Sequence, residues 1–128
     1  MPFHYKIDKE RKLVMSTGFG VFTMADAWSH QEKLRKEPDF DPSFSQPMDL
    51  SHVTKIELQP EDVRRLAQAS IFAPNSKRAI LVTSEVGFGL ARMFSILRET
   101  LGEKGIEAFR NLDDALDWVL AKNKNTAA

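Results

Sequence analysis

The chain has 128 residues, with 18 Lys plus Arg balanced by 18 Asp plus Glu, and no cysteine. A chain of that length suits a single core, and a domain of its size buries roughly two thirds of the surface its unfolded form exposes. The missing cysteines exclude a disulfide framework, a Cys-ligated zinc or iron–sulfur centre and a thiol nucleophile, and the zero net charge removes the broad attraction on which sequence-independent nucleic-acid binding relies.

Phe3, Tyr5 and Ile7 alternate with His4, Lys6 and Asp8, the period-2 pattern of a half-buried strand, and Leu13-Val14-Met15-Ser16-Thr17 makes a second. The charged turn from Asp8 to Arg11 between them predicts a hairpin. Gly18 and Gly20 are expected to break the second strand. Thr23 with Asp26 three residues on forms a variant of the capping box, followed by a helix with Met24, Ala27, Trp28 and Leu34 on its dry side. Three prolines between Pro38 and Pro47 predict an irregular loop with Phe40 and Phe44 as anchors.

Met48 to Val53 begins a third strand, and Pro60 with Glu61 and Asp62 opens a second helix. Val63, Leu66, Ala67, Ser70 and Ile71 form its core stripe. Arg78 to Thr83 is a short apolar run expected at the centre of a sheet, covered on both faces. Ser84 caps a third helix whose Val86, Leu90, Met93, Phe94, Leu97 and Leu101 fall within an arc of about 100°. Gly87 and Gly89 are expected to let this helix lie close to the sheet. A last strand, Ile106 to Phe109, precedes a helix capped by Asn111, with Leu112, Ala115, Leu116 and Val119 inward. Trp118 falls outside that stripe.

The order ββαβαβαβα implies a single α/β domain: an N-terminal β-hairpin, then a right-handed β-α superhelix around a mixed, mostly parallel five-stranded sheet. Residues 1–122 are assigned to this domain and 123–128 to a frayed polar tail. No apolar run has membrane-spanning length, and Met1 to Lys6 show no basic stretch leading into one. A cytoplasmic address without a membrane span is expected.

The residues capable of chemistry are few. Gly18-Phe19-Gly20 and Gly87-Phe88-Gly89 complete no phosphate-loop motif, and Glu85 would repel an anion at the third helix. His4, His30 and His52 lack metal-ligand spacing, two of them being read as outward positions of a strand or helix, so no metal or cofactor is expected. Asp49, Ser51 and His52 form a polar cluster at a strand end, the edge where α/β ligand sites collect, although neighbouring side chains on a strand diverge. Phe88 and Ile96 point roughly 120° or more from the third helix's apolar arc. They either pack on a neighbouring helix or, with Arg92, offer an apolar patch to a partner.

Met48-Asp49-Leu50-Ser51-His52-Val53-Thr54-Lys55-Ile56 resembles the third-strand signature of STAS domains, the sulphate-transporter and anti-sigma-factor-antagonist family. Gly18 to Thr23 looks like that family's passage into its first helix, and Phe88 to Phe94 with Ala115 to Val119 resembles its uncharacterised bacterial branch related to sporulation antagonists. The resemblance implies a non-enzymatic module for protein–protein switching or small-ligand sensing. The regulatory members carry Asp-Ser-Ser-Gly after the isoleucine, with a phosphorylated serine. Here Glu57-Leu58-Gln59-Pro60 stands there, and Leu58 takes no phosphate.

Two readings lead. One is a regulatory module acting through a protein partner or as a homodimer, using the side of the third helix with Phe88, Arg92 and Ile96. The other is a binder of a small apolar molecule or lipid in a cleft lined by Trp28, Phe40, Phe44 and Phe72, with Met93 and Phe94 nearby. An enzyme using Asp49, Ser51 or His52 is the least favoured reading, and nucleic acid is not expected as a partner.

Overall fold

Strands β1 (Phe3–Asp8) and β2 (Leu13–Thr23) form the expected hairpin, from Phe3 opposite Gly18 to Asp8 opposite Leu13. The computed structural model describes residues 3–121, so the proposed tail at 123–128 lies outside the described residues. Helix α1 (Met24–Arg35), β3 (Gln46–Glu57), α2 (Pro60–Gln68), β4 (Arg78–Leu81), α3 (Glu85–Thr100), β5 (Ile106–Phe109) and α4 (Leu112–Leu120) follow. The five strands lie side by side in chain order, β1 antiparallel to β2 and all other neighbours parallel. This is the α/β, mixed but mostly parallel sheet that the element order implied.

Each parallel connection moves one strand along in the same direction, so right-handed crossovers place α1, α2 and α3 on one face. Alternation along the strands divides the core accordingly. Phe22, Leu50, Val82 and Ala91 form one cluster and Val14, Leu34 and Phe72 a second, both under the crossover helices. On the opposite face Leu13 and Ala79 pack against Ala115 and Val119 of α4, with Met15, Phe109 and Trp118 around them.

The caps follow local chemistry. Thr23 accepts from the Asp26 amide while the Asp26 carboxylate accepts from the Thr23 amide, the reciprocal capping box. Ser84 accepts from the Gly87 amide and Asn111 from that of Asp114.

Several boundaries differ from expectation. Gly18 and Gly20 do not end β2: the strand stays paired with β3 as far as Thr23 and Glu57, shifting register between Thr17 and Phe19 and again between Gly20 and Val21. Gly20 adopts a φ of +65°, so it bends the strand instead of stopping it. Pro47 lies inside β3, already paired with β4, but on the β2 side the isolated Leu13–Ser45 bridge alone precedes it and regular pairing starts at Met48. A missing amide is tolerated at such a beginning. Ser70 and Ile71 fall beyond the end of α2.

Helix α3 is rotated from the apolar arc read in its sequence. Its buried residues are Gly87 and Ala91, whereas Val86 is 68% and Leu101 56% exposed. The small residues set the rotation: a β-carbon on Gly87 would stand 2.9 Å from Ile56 Cδ1, so the helix rides on its smallest side chains. Gly89 faces open space and plays no part in this approach. Phe88 consequently packs against the Phe22–Leu50 cluster, and the Arg110 guanidinium lies 4.1 Å from its ring centre.

Candidate functional site

A cavity of about 110 Å³ lies between α1, α2, α3 and the sheet. Helices α2 and α3 pack on each other, while α1 packs on β1 and β2, and the cavity occupies the space between. Met48, Leu50, Ile80 and Val82 supply its floor, Leu34 one wall, and Val63, Leu66, Ala91 and Phe94 the other. Gln31 of α1 bridges the gap by donating to the Ala69 carbonyl just past α2.

Buried polar side chains cross this apolar lining. Gln46 Nε2 donates to Ser16 Oγ at 3.0 Å, and the same hydroxyl pairs with His30 Nε2 at 2.9 Å. Burial, with the positive charges of Arg78 and Lys33, pushes His30 down to about 4, so the ring is neutral at pH 7. Arg78 Nε donates to Gln46 Oε1 at 3.3 Å and Nη1 to Ser70 Oγ at 3.1 Å. Its guanidinium stacks against Phe72 at 4.4 Å and Phe94 at 5.3 Å.

Behind Arg78 lies Glu103, which is fully buried. Its Oε1 accepts from Arg98 Nε at 2.7 Å, while Oε2 has no hydrogen-bond partner among the described residues and stands 3.6 Å from Arg78 Nη1. Burial lowers the Arg78 guanidinium to about 10, opposed by the Glu103 charge and reinforced by that of Arg98. It remains a cation at neutral pH.

Of the aromatic residues assigned to a cleft, Phe72 lines this cavity and so does Phe94. Phe40 and Phe44 pack behind Phe72 in the Val14–Leu34 cluster, Phe40 edge-on to Phe72 at 5.3 Å. Trp28 and Met93 are not among the lining residues. Leu58, at the position the STAS resemblance gives to a phosphoacceptor, is part of the cavity wall.

Asp49, Ser51 and His52 lie inside β3, which runs on to Glu57, and not at a strand end, and they do not converge. Ser51 Oγ donates to Asp49, whereas His52 is exposed and stacks at 5.4 Å on Phe19, which also meets His4 edge-on at 5.5 Å. The serine–histidine pair that forms is Ser16 with His30. A ring neutral down to about pH 4 is a weak general base, and no carboxylate among the described residues orients it. His30 is buried, against its reading as an outward position, and its Nε2 pairs with the Ser16 hydroxyl of β2. Arg92 and Ile96 are exposed on α3, Ile96 by 57%, and Phe88 is half-buried.

No site role is assigned from the sequence to Ser16, Gln46, Arg78, Arg98 or Glu103, and His30 is weighed there only as a metal ligand. Ser16 shares the inward phase of Val14, and Arg78 opens an apolar strand. Both are polar residues at core positions, the signal that could have found them.

Among the described residues no group of His, Asp or Glu is placed to hold a metal ion, and no helix is long and apolar enough to cross a membrane. No protein-family model matches the chain, and no curated protein matches it either. A crystal structure of an uncharacterised protein of the DUF3478 family, with a SpoIIAA-like fold, from Shewanella loihica, is similar to it. The TM-score is 0.59 at 17% identity, over 91% of this chain and 93% of that one. The likeness is one of fold alone: the chain has a SpoIIAA-like, that is STAS-like, fold.

Proposed function

We propose that this STAS-like domain is a non-catalytic module that takes a small apolar molecule into the cavity between α1, α2, α3 and the sheet. The cavity itself carries the reading: it is walled by aliphatic and aromatic side chains, with a few polar groups converging at one side, the composition of small-molecule sites. Leu58 as a wall residue supports it further, since this position serves apolar contact and accepts no phosphate. Native mass spectrometry of freshly purified protein, with melting curves across a panel of short-chain amphiphiles, tests it. A retained adduct or a concentration-dependent rise in Tm is expected. Ligand-free protein with unchanged Tm across the panel overturns the reading.

A second reading, contact with a protein partner or a second copy in a regulatory role, draws on one observation: α3 exposes Val86, Ile96 and Leu101, three large apolar side chains. A cytoplasmic setting suits either reading.

A further inference from the structure

The charges around the cavity do not cancel. Arg78 and Arg98 share one carboxylate, Glu103, and His30 adds no negative charge. Arg98 holds the shorter contact, 2.7 Å against 3.6 Å for Arg78, so Glu103 is committed mainly to Arg98. The polar residues that line the cavity are His30, Gln31, Gln46, Ser70 and Arg78, with no carboxylate among them. Arg78 spends Nε on Gln46 and Nη1 on Ser70, while Nη2 makes no hydrogen bond among the described residues. Its side chain is about nine-tenths buried, with the guanidinium against the rings of Phe72 and Phe94.

A buried cation without full compensation is costly, and an anion that enters beside it recovers that cost. We infer that the ligand is a monoanionic amphiphile, a carboxylate on a short alkyl chain or single ring, whose charged end pairs with Arg78 and whose apolar end fills the cavity. The excess of one positive charge matches a monoanion, and a dianionic phosphate monoester would leave a negative charge buried. The size follows from the cavity. At about 110 Å³ it is somewhat smaller than the cavity of about 150 Å³ known to take benzene, so it accommodates only a short apolar part as it stands.

This inference rests on the proposed binding function, and calorimetric titrations separate the two. Butanoate, pentanoate and hexanoate are compared with the alcohols and alkyl phosphates of matched chain length, on the wild type and on Arg78→Met. The carboxylates are expected to bind the wild type about tenfold or more tighter than the alcohols, and tighter than the phosphates. In Arg78→Met the preference for carboxylate over alcohol should vanish while alcohol binding persists, because Glu103 and Arg98 then form a balanced pair. Should Arg78→Met not fold, the wild-type comparison alone decides. Equal affinity for carboxylate and alcohol, or tighter binding of the phosphate, overturns the charge assignment and leaves the cavity reading standing. Binding of no member of any series overturns the cavity reading as well.

Discussion

Ser16 Oγ and His30 Nε2 meet 2.9 Å apart, inside the first crossover, where burial, with the positive charges of Arg78 and Lys33, disfavours a charged imidazole. The folded protein therefore resists protonating a ring that the unfolded chain protonates readily. His30 falls from 6.5 to about 4, so the unfolded state binds the extra proton first as pH drops. Stability should be unaffected by this group above pH 6.5 and decline as pH falls from there to about 4. At about 1.4 kcal/mol per unit, the full loss is about 3 kcal/mol. Urea unfolding across this range checks it, and His30→Asn should show a shallower decline by that amount.

Glu103→Gln should be among the most damaging single substitutions. It keeps the shape but removes the one carboxylate shared by two buried guanidinium groups, and stranding buried charge costs about 3–5 kcal/mol. Denaturant midpoints give the size. Adding Arg98→Met should restore part of the loss, since only Arg78 then remains uncompensated.

Two glycines should respond oppositely to alanine. Gly105 passes directly against the Ser76 carbonyl, so an added β-carbon must push the backbone aside, at about 1–3 kcal/mol. Gly89 sits in α3 facing open space, where alanine should stabilise by up to about 1 kcal/mol. Thermal melts of the two variants, displaced in opposite directions, would show this; a matching shift would not.

Phe88→Asp and Ile96→Asp should also part company. Phe88 is packed against the core cluster under Arg110, so an aspartate there destabilises the fold by about 3 kcal/mol or more. Ile96 is exposed, and its replacement should leave the melting temperature nearly unchanged. Light scattering on Ile96→Asp then tests the second reading: lost self-association supports contact through α3, and a monomer unaltered from a monomeric wild type refutes a homodimer there.

The elements of the fold were legible because their signals are local. A capping threonine three residues before an aspartate, a first-turn proline and alternation along a hairpin all act within one turn or strand. The rotation of α3 was not, since an apolar count weights Val86 and Leu101 above Gly87 and Ala91, whereas close packing on the sheet selects the smallest side chains. The polar seam was hidden for another reason. Arg78 meets Glu103 across 25 residues and Ser16 meets Gln46 across 30, distances along the chain at which charged and polar residues carry no mark of their partner. Of the aromatics assigned to a cleft, Phe72 reaches the cavity because a short segment after α2 carries it there; Phe40 and Phe44 act one layer behind.

The unbroken strand order has a kinetic consequence. Every strand pairs with the one made just before it, so no pairing waits for a distant segment, and each loop to be closed spans only one crossover. The sheet can extend in a single direction as the chain emerges during synthesis, each strand finding its template already in place. Glu103, β5 and α4 come last, and Glu103 and α4 bring the counter-charge for Arg78 and the cover for Leu13 and Ala79. The N-terminal portion must therefore persist for a time with a bare sheet face and a lone buried-to-be cation, the interval in which this protein is most exposed to misassembly.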